Sequence, residues 1–343
     1  MKKRIIQIVL TLFFSALALY IALRGIDFED VGAALRSVDW VWIGVTLALI
    51  LVTLVIRAAR WRILLGRTLS LRDTFGLINI GYLISGVLPL RAGDPARAVG
   101  ASLRGPVTAL AALSTVVVER VLDMLLIVLV LIATLPFVPG LQTYLAAGQV
   151  GSFLSFNLVL ILSGVLAFGV LLAFVLIAVF PVATERLAMR MLLMLRVSNP
   201  DRWLKPLRGI LDGLEALRSP MDGLAIGLWS LGLWITTAVY FGTMMWACRA
   251  FIPEVSVLRS LVAMWSSAFG MVFPATGGIG SFHFAVREAL YWGFDVARDL
   301  GFTYAVLVHA LPYLTGIGLG ALALIAWGMS LKNLVSRGQE IEG

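Results

Sequence analysis

Three ionisable residues sit inside an apolar run, Glu119, Arg120 and Asp123 in VVVERVLDML. Glu119 and Asp123 are four apart and Arg120 and Asp123 three apart, so one face of a helix can carry all three. Counted from Pro106, Glu119 lies about 20 Å along a helix axis at ~1.5 Å per residue, deep in any membrane span the run forms. An unpaired charge at that depth costs about 2.5–3.5 kcal/mol on the insertion scale. The three must therefore be paired or wet. The chemistry open to them is ionic: holding a charged headgroup or ion, or locking helices together. Their own charge sums to −1, which leaves one carboxylate in need of a cation.

The nearest cations lie in LPLRAGDPARA, Leu88 to Ala98. Asp94 followed by Pro95 reads as a helix start, with the aspartate capping free backbone N–H groups and proline in the first helical position. Gly93 lets the chain turn before it. Arg97 then falls in the first turn and Arg91 just upstream, so either is an expected partner for the spare carboxylate. A helix N-terminus flanked by arginines is a seat for a phosphate or carboxylate. The alternative is that Asp94 only caps and the arginines only anchor to lipid headgroups.

A third stretch, FPATGGIGSFHFAVREAL, places Gly277, Gly278 and Gly280 in a loop before a helix for which Ser281 is the expected cap. Backbone N–H groups of such a loop can cradle an anion, or the glycines can simply allow close helix packing. His283, in the first turn, is either a proton carrier or a packed, hydrogen-bonded side chain. The other histidine, His309, lies in a different apolar run, and two histidines so placed make a poor acid/base set. Arg287 and Glu288 read as interfacial.

These residues must be positioned by elements suited to lipid. The 343 residues are 60% hydrophobic and 13% charged, with mean hydropathy +0.98. A single cysteine, Cys248, excludes an intrachain disulfide framework. No CxxC, HExxH, GxSxG or P-loop is present, so no metal, cofactor or catalytic set is indicated and the chain does not read as an enzyme. The net charge of +8 is spread in short stretches between apolar runs, which points to membrane orientation and away from nucleic acid.

Six runs are long enough to span: 5–23, 41–65, 107–135, 156–181, 223–250 and 301–328. The first lacks a cleavage site and reads as a retained helix. Two shorter apolar segments, 74–90 and 257–274, run into proline and glycine. If the N-terminus is cytoplasmic, 20 of the 27 Lys and Arg residues fall on the cytoplasmic side and 6 opposite. That bias holds only if both short segments enter and leave on one face. The expected architecture is therefore all-α and polytopic. It has six spans and two re-entrant hairpins, 74–104 and 257–292, in an inverted-topology repeat of 41–135 and 223–328, a construction typical of transporters. The basic segment 184–220 is either an amphipathic helix pair lying on anionic lipid or an ordinary loop.

Taken in this order, LPLRAGDPARA, VVVERVLDML and FPATGGIGSFHF resemble the signature blocks of the flippase-like family that includes the transmembrane region of lysylphosphatidylglycerol synthases. The resemblance spans about residues 5 to 330, with Glu119, Arg120 and Asp123 its most specific block. It implies a bacterial or archaeal inner-membrane protein, both termini cytoplasmic, that moves lipids between leaflets. The implied partners are membrane lipids, an anionic headgroup foremost, with a partner enzyme or a second copy of the chain compatible. The soluble aminoacyl-transferase domain of the bifunctional synthases is not expected, since the chain stops at Gly343. One departure stands out: many members carry an acid three positions after the last glycine, where this chain has His283. On the expected mechanism Arg91, Arg97 and Arg120 hold the phosphate of a headgroup and Glu119 and Asp123 orient those arginines or bind a cationic part, with Asp94, Gly277, Gly278, Gly280, Ser281 and His283 completing the binding set. Two rivals remain: a proton- or ion-coupled carrier of a soluble anion, and a non-transporting scaffold for an enzyme.

Overall fold

The structure, a computed structural model, describes residues 2–88, 92–147, 179–272 and 275–330, together with 165, 169, 172, 173, 176, 177 and 334. Every regular element among them is helical. The long runs form α1 (Lys2–Leu23), α3 (Trp40–Leu64), α6 (Ala109–Thr134), α10 (Pro220–Ala247) and α13 (Arg298–Ala326), close to the expected boundaries. Short polar side chains start several of them. Asp39 caps α3, Thr108 caps α6 and Ser219 caps α10, each accepting a backbone N–H of the first turn. Helices α3, α10 and α13 are each long and apolar enough to cross a membrane. Helix α6 matches them in length but carries the three ionisable residues. The chain is a multi-pass membrane protein. The expected span at 156–181 falls mostly outside the described residues.

The short segments fold as helix, break, helix. Helices α4 (Leu71–Val87) and α5 (Gly93–Arg104) flank the first break, and α11 (Val257–Gly270) and α12 (Ser281–Phe294) flank the second. The longest of the four has 17 residues, about 26 Å at ~1.5 Å per residue, which is short of the ~30 Å hydrocarbon core.

Two expected caps are corrected. Helix α5 begins at Gly93, with Ala92 before it and no side-chain cap, so Asp94 lies inside the first turn and its carboxylate is spent elsewhere. The Gly93 N–H is taken by Ser85 Oγ at 3.1 Å, and a methyl on Gly93 would strike the Gly81 carbonyl of α4. Close approach of the two helices, not capping, sets this start. At the second break the cap position is Gly280, at φ +90°, where only glycine is comfortable. Ser281 follows it, and its hydroxyl makes only a long contact of 3.4 Å to the Gly278 carbonyl.

Helices α2 (Phe28–Arg36) and α7 (Pro139–Ala147) were not expected, because neither contains a span-length run. Asp27 caps α2, and its own N–H bonds Asp299 Oδ1 at the start of α13. The basic linker forms α8 (Pro181–Met194) and α9 (Pro200–Gly213). Helix α9 is pinned to the start of α6, Gly209 against Leu110 and Gly213 against Ser114, whereas α8 buries none of its residues.

The packing order is regular. Helices α3 and α10 pack on each other; α3 packs on α4 as α10 does on α11, α4 on α5 as α11 on α12, and α5 on α6 as α12 on α13. Across the molecule, α4 lies on α13 and α11 on α6. Each half has its own apolar core, one around Trp61, Leu77, Ala98 and Val116, the other around Met244, Met264, Val286 and Val308.

Because backbone faces backbone at Gly93, neither side can yield. Gly93→Ala is expected to cost about 1–3 kcal/mol by overpacking, read as a lowered thermal midpoint of the detergent-solubilised protein. Gly44→Ala, where a methyl meets nothing within 4 Å, is expected to leave the midpoint unchanged or raise it.

Candidate functional site

A buried cluster of charges joins α3, α5, α6 and α10. Helix α6 carries its carboxylates at positions 119 and 123, one turn apart on the face toward α3 and α5. Arg60 of α3 reaches both, at 3.3 Å to Glu119 Oε1 and 2.7 Å to Asp123 Oδ1. Arg97 of α5 takes the other oxygen of Glu119 at 2.6 Å, with its guanidinium 4.7 Å from the centre of the Trp61 ring. From α10, Ser230 Oγ accepts from Arg60 at 3.1 Å and the Trp234 indole N–H donates to Asp123 at 3.2 Å. Trp61 is fixed in turn by its indole N–H on Thr115 Oγ1.

The outer part of the cluster is looser. Arg120 forks onto Asp94, Nη2 to Oδ1 at 2.8 Å and Nε to Oδ2 at 3.2 Å. Arg57 reaches Asp123 over 3.5 Å. Arg97 Nε stands 3.4 Å from Asp94 Oδ1, an ion-pair distance without a hydrogen bond. Accessibility follows the same gradient: the Arg60 side chain is 0% accessible, Arg97 4%, Arg57 17% and Arg120 38%. The cluster is thus a closed frame of Arg60, Glu119, Asp123 and Arg97 with an open edge of Arg57, Asp94 and Arg120. Among the described residues, four cations face three carboxylates, an excess of one positive charge.

The expected site residues divide into two groups. Asp94, Arg97, Glu119, Arg120 and Asp123 are brought together, and Arg97 does supply the cation that the acidic pair needed. Arg91 lies outside the described residues. Arg97 is held by Glu119 and does not stand ready for a headgroup, and Arg120 pairs with Asp94 across to α5 instead of with Asp123 on its own helix. Gly277, Gly278, Gly280, Ser281 and His283 gather at the second break. There the two breaks meet, with Ser85 and Leu88 facing Met271 and Ala275 to Gly278 across a small cavity, and the Tyr313 hydroxyl on the Gly86 carbonyl. Gly277, Gly278 and Gly280 all have positive φ, so the backbone itself requires glycine at these positions. Arg287 is buried within the protein, donates to the Ala22 carbonyl near the end of α1 and pairs with Glu288, which also holds Arg298 at the start of α13.

Arg57 and Arg60 were missed. The cytoplasmic charge count includes both, although their spacing of three within the run 41–65 marks one face of a span. The histidines, apart in sequence, are together in space, with His283 Nε2 and His309 Nδ1 3.4 Å apart.

The profile described as "Lysylphosphatidylglycerol synthase TM region" matches residues 5–320. The chain belongs to the lysylphosphatidylglycerol synthase transmembrane-region family. A curated protein named glycosyltransferase AglD, from Haloferax volcanii, is 26% identical over 358 residues, covering 98% of this chain and 57% of its own length. This chain thus spans little more than half of that relative. No solved structure gives a significant match. In this member of the family Arg60 ties α3, α6 and α10 together, and Arg97 joins α5 to them through Glu119.

Proposed function

We propose that the protein is a lipid translocase that passes a phospholipid, or another lipid with an anionic headgroup, between leaflets without chemical change to it. The observation that carries the reading is the intramembrane cluster with one positive charge in excess and its accessible edge at Arg57 and Arg120. Buried ionic groups in membrane helices are costly, and they mark substrate paths. A phosphate can take the place of Asp94 at that edge, since a guanidinium binds phosphate, as it does carboxylate, through two parallel N–H groups. On this reading a headgroup displaces Asp94 from Arg120 and draws in Arg57. The frame around Arg60 stays closed, and Trp234 and Ser230 hold it to α10.

The architecture supports the same reading. Helices shorter than a bilayer, a break in each half, and packing that repeats from α3–α6 to α10–α13 suit an inverted repeat of 41–135 and 223–328 with re-entrant hairpins. With both termini cytoplasmic, the hairpins enter from opposite faces of a cell membrane and meet at their tips. The basic pair α8 and α9 then lies at the cytoplasmic surface. Arg57, Arg60 and Arg97 drop out of the cytoplasmic count, and the bias of the rest keeps this orientation. The enzyme title of the archaeal relative is not carried over, because nearly half of that protein lies beyond the matched region.

Native mass spectrometry of the protein purified in mild detergent tests the reading. Wild type is expected to retain a phospholipid, and the double variant Arg57→Gln/Arg120→Gln to lose it, with the phosphate-free lipids unaffected. Retention of a small anion and no lipid would favour a carrier of soluble anions. Equal lipid retention by wild type and variant would contradict the assigned edge.

A further inference from the structure

The equivalence between halves extends to what joins each hairpin to its long helix. In the first half the second hairpin helix, α5, is tied to α6 by Arg97 and Glu119. The corresponding helices α12 and α13 are joined by His283 and His309. Glu119 is the eleventh residue of α6 and His309 the twelfth of α13, so the two ties lie at matching depths. One is an ion pair and the other a pair of imidazoles.

The hydrogen bonds fix how the imidazoles are protonated. The Gly280 N–H donates to His283 Nδ1 at 3.2 Å, so that nitrogen carries no proton and Nε2 carries it. His283 Nε2–H then donates to His309 Nδ1. The chain runs from the cap of α12 through both rings, and it is complete only when both rings are neutral. A proton added at His283 Nδ1 must expel the Gly280 N–H. A proton added at His309 Nδ1 sets two donors against each other. Phe282 is stacked on His309 at 4.3 Å, and Phe302 and Tyr313 pack against the two rings.

Other titratable groups on the neighbouring elements have their own partners. On α12, Arg287 bonds the Ala22 carbonyl and Glu288. On α13, Tyr304 donates to the Phe241 carbonyl and Tyr313 to the Gly86 carbonyl. At the far start of α11, Arg259 is held by Glu254. Tyr20 of α1 is mostly exposed, and Tyr82 of α4 and Tyr240 of α10 lie toward the charged cluster, near Arg120 and Arg57. The imidazoles are the groups placed to receive a proton at this break.

We propose that His283 and His309 form a proton-binding latch: neutral, they hold the glycine loop and α12 closed on α13, and one added proton releases the loop against the tip of the first hairpin. The first hairpin, tied by a full ion pair, keeps its place, so the proton acts on one gate of the two. The linkage to transport rests on the translocase reading, whereas the latch itself does not.

Hydrogen–deuterium exchange of the full chain in nanodiscs, corrected for the intrinsic rate, tests the latch. A single proton taken up on opening raises the open population by up to about tenfold per pH unit. Exchange of peptides covering 275–284 is therefore expected to rise at least ~tenfold from about pH 8 to pH 5.5, while peptides covering 92–99 stay flat. His283→Asn keeps an acceptor for Gly280 and loses the proton site, and His309→Gln removes the second ring. Both should abolish the rise. A flat wild type, an equal rise at both segments, or a rise that survives in both variants overturns the latch. In vesicles of phosphatidylcholine and phosphatidylglycerol with a fluorescent phosphatidylglycerol, translocation should quicken at acid pH in wild type alone. An intact exchange response with no translocation would support the latch and count against the translocase.

Discussion

Arg60→Ala should unfold the centre of the molecule. Among the described residues, Arg60 is the one cation that bonds both carboxylates of α6, and its removal leaves Asp123 to Arg57 at 3.5 Å and strips Glu119 of one of its two arginines. Breaking a buried ion pair on one side costs about 3–5 kcal/mol, much of it from the charge left behind. Against marginal total stabilities that loss is large, and the variant should insert poorly or lose its thermal midpoint altogether. The cause can be separated from lost packing. Arg60→Met with Asp123→Asn removes the cation together with the carboxylate it bonds at 2.7 Å and leaves Glu119 paired with Arg97, so it should recover much of the stability. If the single variant is as stable as wild type, the frame is not what holds α3, α6 and α10 together.

Arg120→Gln should behave in the opposite way. Its partner Asp94 sits at the accessible edge and also faces Arg97 at 3.4 Å, so little is stranded by the change. Stability should fall less than for Arg60→Ala, because Asp94 keeps Arg97 within ion-pair distance and is itself partly accessible. Translocation should fall about a hundredfold, the size of effect expected when a positioned charge on the transported group is lost. Arg120→Lys should recover only part of it, because an ammonium cannot form the bidentate contact. A variant that loses stability and transport in the same proportion would make Arg120 a structural residue only.

Much of this site could be read from the sequence because charge in an apolar run is costly and has to be explained. Glu119, Arg120 and Asp123 declared themselves in that way, and the demand for a further cation pointed to Arg91 or Arg97, of which Arg97 pairs with Glu119. The same logic would have found Arg57 and Arg60 had their position inside the run 41–65 been weighed above their usefulness as loop charges. Ser230 and Trp234 gave no such signal, since a serine and a tryptophan in a membrane helix are ordinary. The long helices and both breaks followed from run length, proline and glycine. Local chemistry misled at Asp94, where a good capping residue is drawn instead to Arg120, and at Ser281, displaced from the cap by the turn at Gly280. In both places a tertiary contact outweighs a preference worth about 1 kcal/mol. The histidine pair depends on how α12 and α13 pack, which spacing in sequence does not encode.

The central claim is that this membrane domain moves a lipid by holding its phosphate at Arg57 and Arg120. It is tested most directly in proteoliposomes carrying a fluorescent phosphatidylglycerol in both leaflets, with the outer label quenched by dithionite. In protein-free vesicles about half of the label is protected, as leaflet geometry requires. Wild-type protein should expose the protected half, and the Arg57→Gln/Arg120→Gln double variant, folded and incorporated to the same level, should leave it protected. Protection of that half in wild-type vesicles, or its equal exposure by the double variant, would contradict the account.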